Sequence, residues 1–168
     1  MRRGGFYVGT GVLWAAMLTI SGCLETKYTI GDKEHAAVDR GYVGDWMPAG
    51  NDRSRVAIRN LDDHQYYVEN DEPDHKPLRM VGFVTQVKGA SFAQLRELTE
   101  DGSVPDKYLV LRVERKDDKL TLRQLNDKFF VSQSITSSAD LRRVIEENLE
   151  NNEMYEGDPA VLTRQPRQ

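Results

Sequence analysis

"YLVLRVERKDDKLTLRQL", residues 108–125, carries the clearest structural signal in this chain. Leu109, Leu111 and Val113 recur at every second position, the period that puts the side chains of a strand on one face. Lys116-Asp117-Asp118-Lys119 interrupts the run, and Leu120 and Leu122 resume it with Thr121 and Arg123 on the opposite side. Two alternating runs joined by a short polar turn make an antiparallel hairpin, so the fold is read as mainly β.

The same period extends upstream. Val56 and Ile58 alternate with Arg55, Ala57 and Arg59; Asp62-Asp63-His64-Gln65 is a turn, and Tyr66 and Val68 form the returning arm. "PLRMVGFVTQVKG", residues 77–89, has Val81, Phe83 and Val87 on one face and Met80 and Val84 on the other, with Gly82 at a bend or close approach. "SFAQLRELTE", residues 91–100, permits a helix capped by Ser91 or a further strand, and its neighbours favour the strand. Downstream, Ser137-x-x-Asp140 resembles a capping box, and Leu141, Val144, Ile145 and Leu149 form an apolar stripe, which predicts a helix over about 138–150. Its arginines come early (Arg142, Arg143) and its glutamates late (Glu146, Glu147, Glu150), against the macrodipole, so packing of the stripe must hold it. "PAVLTR", residues 159–164, reads as a last edge strand, and residues 165–168 as a frayed tail. The expected architecture is an antiparallel meander forming a half-barrel or small barrel, with one C-terminal helix.

Length and composition allow one core. With 168 residues, 39% of them hydrophobic, the chain suits a single domain, placed at residues 41–164. The charge count is 23 basic against 27 acidic residues, a net charge of −4. Loss of Arg2 and Arg3 with a cleaved leader would bring it near −6, which opposes nucleic-acid binding through a broad basic face. A single cysteine, Cys23, excludes an internal disulfide.

The amino terminus has the pattern of an export signal. Met1-Arg2-Arg3 is positive, and Phe6 to Ile20 is an uncharged run too short for the ~20 apolar residues of a spanning helix, so residues 1–22 are read as a cleaved signal peptide. Ile20-Ser21-Gly22-Cys23 resembles the lipobox of bacterial lipoproteins. The resemblance implies that a signal peptidase recognises Ile20, Ser21 and Gly22, that cleavage falls before Cys23, and that the Cys23 sulfur carries a diacylglyceryl anchor. Sulfur suits that role because the thiolate is a strong nucleophile. Leu24 after the cysteine resembles lipoproteins sorted to the outer membrane, so a location in the cell envelope facing the periplasm is expected. Residues 23–40 are mostly polar without a sustained period and read as the lipidated N-terminus and a flexible tether spanning roughly 20–25 Å; a strand at Lys27–Ile30 is the competing reading.

Gly44-Asp45-Trp46, just before the first strand, resembles the Gly-x-Trp opening of lipocalin-like (calycin) proteins. The wider pattern of "QVKGASFAQL", "DKLTLRQLNDKFF", the helix and "VLTR" is similar to a group of exported bacterial proteins without an assigned activity. This implies architecture and no mechanism. Trp46 is then either a ligand contact at a pocket mouth or, more in keeping with its place, a plug for the core.

His64 and His75, with Asp62, Asp63, Glu69, Asp71, Glu72 and Asp74, are metal-ligand candidates by residue type, but their spacing matches neither a zinc-protease helix nor a calcium loop, and turn chemistry accounts for them. Ser132, Ser134, Ser137 and Ser138 lack the Gly-x-Ser-x-Gly elbow, and no glycine-rich phosphate cradle is present. No catalytic constellation and no cofactor are therefore expected. The leading expectation is a non-catalytic envelope lipoprotein that binds or assembles with a protein or envelope component. The alternatives are a binder of an apolar small molecule or lipid in a calycin-like cleft, and a metal-dependent enzyme using His64 and His75.

Overall fold

The computed structural model describes residues 23–50 and 53–166. Ile20, Ser21, Gly22 and the rest of the leader lie outside the described residues. The strands are β1 (Glu25–Thr26), β2 (Gly44–Pro48), β3 (Arg55–Asn60), β4 (Tyr66–Asp71), β5 (Leu78–Val87), β6 (Ala90–Glu97), β7 (Tyr108–Lys116), β8 (Lys119–Leu125) and β9 (Tyr155–Arg164). Helices α1 (Asp127–Val131) and α2 (Ser138–Asn148) lie between β8 and β9.

Strands β2 to β9 form a closed antiparallel barrel. Each pairs with its successor, and β9 returns to β2, with Met47 opposite Thr163 while Thr163 also faces Lys119 of β8. The half-barrel alternative is thereby corrected: "VLTR" is a central closing strand instead of an edge, and closure leaves β2 and β9 no unpaired rim. Residues 91–100 divide into β6 and its exit loop, in keeping with the strand reading. Lys88 and Gly89, with φ of 46° and 84°, make the tight β5–β6 turn, and Asp117 at φ 53° begins the β7–β8 turn.

Gly82 shows why its position needs glycine. A Cβ there would lie far inside van der Waals contact with the Gln94 carbonyl oxygen and 2.8 Å from Leu95 Cδ2, so β5 and β6 pair where only hydrogen fits.

The alternation generates two cores. Trp46, Val56, Ile58, Met80, Leu95, Leu111, Val113, Leu120 and Leu162 fill the barrel interior. Intervening residues of β5 to β7, including Val87, Phe92 and Val110, face outward and pack with Leu141, Val144 and Ile145 of α2. Strands β6 and β7 are thus apolar on both faces because a helix covers their outer side. Ser137 caps α2, accepting from the Asp140 amide at 3.1 Å and donating to its carboxylate at 2.9 Å. The contrary charges also find partners: Arg142 bonds Glu146 at 2.9 Å and the Ile30 carbonyl at 3.2 Å, and Arg143 reaches Glu147 at 3.2 Å. Phe129 and Phe130 belong to α1, with Phe130 buried in the outer core.

The segment read as a flexible tether is packed along the barrel. Leu24, Ile30 and Ala36 are buried, and the Ile30 amide donates at 2.6 Å to Oε1 of the fully buried Gln94, whose amide nitrogen donates to Thr85 at 2.8 Å. One apolar side chain every six residues is too sparse to register as a period. A buried polar partner, invisible from that stretch alone, completes the anchorage.

Candidate functional site: the barrel interior

The lumen contains a cavity of about 80 Å³ whose free surface is wholly apolar. Val56, Ile58, Ala93, Leu111, Leu122 and Cys23 are among its lining residues. At the end where β6 leaves and β7 begins, a second hollow of about 250 Å³ shares Leu78, Met80, Leu95 and Leu109 with the first and is bordered by Glu25, Glu97 and Lys107. This is the mouth: apolar in depth, charged at its rim, with Lys107 Nζ 3.8 Å from Glu25.

Trp46 closes the other end. It is fully buried, donates through Nε1 to the Tyr42 carbonyl at 2.9 Å, and carries the Arg164 guanidinium 4.3 Å from its ring. Arg164 donates in turn to the Val43 carbonyl at 2.7 Å and to that of Gly41. Trp46 is fully buried and is not among the residues that line the cavity.

Cys23 stands in the wall. Leu24 inserts between β7 and β8 where they part: its amide donates to the Leu125 carbonyl at 2.9 Å and its carbonyl accepts from the Val110 amide at 3.3 Å, while Cys23 bridges to Asn126 and Glu25 pairs with Leu109. Only 5% exposed, Cys23 lines the cavity, and burial pushes its thiol up to about 11, helped by the charges of Glu156 and Glu25. Tyr66, which also lines the cavity, is raised by burial to about 12, its hydroxyl engaged with the Asp39 backbone. Both groups hold their protons at neutral pH.

The metal candidates are not brought together. His64 lies in the β3–β4 turn and donates through Nδ1 to the Ala36 carbonyl at 2.7 Å, whereas His75 lies in the β4–β5 loop. These connections sit at opposite ends of β4, roughly 17–20 Å of strand apart, too far to share one ion. Asp62 accepts from the His64 and Gln65 amides at 2.7 Å, a turn role, and Glu69 is held below its ordinary range by the Tyr67 hydroxyl and then by Arg79. Among the described residues no group of three or more His, Cys, Asp or Glu is arranged to hold a metal ion.

Sequence reasoning missed Arg164, the charged rim and the placement of Cys23 in the wall. Leu162 and Arg164 share a face by the period of two, which was a usable signal for an inward arginine. Among the described residues no helix is long and apolar enough to cross a membrane. Compared with protein-family models, curated proteins and solved structures, the chain gives no significant match.

Proposed function

We propose that this chain is a lipid-anchored envelope protein whose barrel binds one slender apolar molecule, of the alkyl-chain kind, in its lumen. The observation that carries the reading is the cavity of apolar free surface adjoined by a hollow with a charged rim. Pockets for drug-sized ligands span roughly 300–1,000 Å³, so about 80 Å³ excludes a bulky ring system and leaves room for the terminal carbons of a narrow chain among Leu and Met side chains. The charged rim of Lys107, Glu25 and Glu97 suits a polar head group, which an aliphatic chain entering from water would keep outside.

The Trp46–Arg164 closure supports the calycin-like resemblance of Gly44-Asp45-Trp46, and the anchor rests on Ile20-Ser21-Gly22-Cys23. In the implied modification the Sγ–H bond is replaced by Sγ–C to the glyceryl group of a membrane phospholipid, whose phosphate ester departs with the thiol proton. Leu24 after the cysteine favours the outer membrane. Assembly through an apolar face has less support: the large exposed apolar residues Leu61, Val131 and Val161 sit on three different elements.

After leader cleavage Trp46 is the sole tryptophan, since the other is Trp14. Titrating the mature protein with a fatty acid brominated along its chain should quench Trp46 fluorescence saturably, at one molecule per chain by native mass spectrometry. Absence of both quenching and a bound species at millimolar ligand would overturn the ligand reading.

A further inference from the structure

The proposed anchor residue and the proposed binding cavity share a wall, and this has a mechanical consequence. Cys23 is buried with its side chain on the lumen, yet a diacylglyceryl group contains tens of carbons and two polar esters. A space of about 80 Å³ cannot hold it. Nor can those chains reach a bilayer while the sulfur points into the barrel. Residue 23 of the lipidated protein must therefore leave the wall.

The strip it belongs to is short. Residues 23–26 are held by the Leu24 hydrogen bonds to Leu125 and Val110 and the burial of its side chain in the outer core, by the Cys23–Asn126 bridge, by the two-residue pairing of β1 with β7, and by the Lys107–Glu25 ion pair. β7 and β8 pair with each other only from Leu111 and Gln124 toward their shared turn, so departure of the strip leaves a seam between Leu109–Val110 and Leu125 that opens beside the cavity. Because the anchor emerges there, with only the freed residues 23–26 between it and the wall, the seam and the neighbouring mouth face the bilayer.

Resting on the anchor and ligand reading above, we infer that lipidation at Cys23 withdraws residues 23–26 from between β7 and β8, and that the opened seam admits the methyl end of a bilayer-lipid acyl chain directly into the lumen. The ligand's chain then passes from bilayer to lumen without crossing water, and the unlipidated form is closed to that route.

The test uses full-length chain processed in a bacterial host and purified from membranes, as wild type and as the double variant Thr26→Cys/Tyr108→Cys. Thr26 and Tyr108 are register partners, so their oxidation pins the strip and their reduction frees it. Intact mass establishes the lipid on Cys23. The proteins are placed in phosphatidylethanolamine/phosphatidylglycerol vesicles containing a chain-brominated phospholipid, and Trp46 quenching is followed beside hydrogen exchange at Val110. The expected result is quenching at least tenfold faster for the reduced than for the oxidised variant, with wild type matching the reduced form, and Val110 protection lost only where the strip is free. Equal quenching and equal protection in lipidated protein overturn this inference while leaving the anchor intact. Loss of Val110 protection without quenching, in protein that also fails to bind soluble brominated fatty acid, overturns the ligand reading and the inference with it. An unmodified Cys23 in the membrane fraction overturns the anchor and with it the seam.

Discussion

The Arg164 guanidinium lies against the Trp46 ring and donates to two backbone carbonyls of the segment that precedes β2, so one side chain ties the last strand to the start of the first barrel strand. A desolvated cation–π contact contributes about 2 kcal/mol and hydrogen bonds to a charged group about 1.5–3 kcal/mol each before non-additivity. Arg164→Ala should lower stability by about 3 kcal/mol in urea unfolding, and Arg164→Lys should recover under half of that, since a lysine cannot both stack and fork. A second residue-scale expectation concerns alkaline pH in unlipidated protein. Cys23 rises from 9 to about 11 and Tyr66 from 10 to about 12 on folding. The folded state therefore holds its protons more tightly, and the stability linked to these groups is complete below pH 9 and lost as pH climbs through 11 and 12. Urea midpoints measured from pH 8 to 11.5 should fall, and Tyr66→Phe should flatten the upper part of that fall. At this scale the burial of Trp46 was legible because aromatic bulk at the first strand of a barrel has few other places to go. Arg164 was not, because its partners lie more than a hundred residues away and only its period with Leu162 hinted at an inward course.

The elements themselves were legible where burial follows a period. β7 and β8 alternate cleanly, and α2 declares itself by Leu141, Val144 and Ile145 behind the Ser137 cap. Ser137→Ala removes an acceptor for the Asp140 amide and a donor to its carboxylate, and should cost about 1 kcal/mol by thermal or urea unfolding. The β5–β6 pairing is less forgiving. Gly82→Ala would push a methyl group into the Gln94 carbonyl and Leu95, and since backbone cannot yield as a side-chain tip can, a loss of about 3 kcal/mol or more is expected, read as a lower melting temperature or loss of soluble protein. The segment 23–40 was misread as a tether because polarity counts residues while anchorage counts contacts. Four buried residues, Cys23, Leu24, Ile30 and Ala36, together with the bond to Gln94, hold what composition alone assigns to solvent. α1 likewise is only a turn and a half, too short for its own period to show beside Phe129 and Phe130.

For the whole molecule, closure of the sheet decides what the interior can do. An open half-barrel would offer a cleft, whereas eight paired strands with Trp46 at one end leave only a small apolar space. At roughly 24 cal/mol per Å³, a void of about 80 Å³ costs about 2 kcal/mol, so a ligand that fills it stabilises the barrel in the act of binding. The same reasoning separates a binding cavity from a packing defect. Ala93 lines the cavity opposite Leu111 across the β6–β7 ladder, and Ala93→Leu adds three carbons where space exists. If the void is the binding site, Ala93→Leu should raise the melting temperature of the ligand-free protein by a few degrees and abolish both the thermal shift produced by a long-chain fatty acid and the quenching of Trp46 by its brominated analogue. A variant that melts higher yet keeps the full fatty-acid shift would place the ligand outside the lumen. One that melts lower would show that the lining is already packed to its limit.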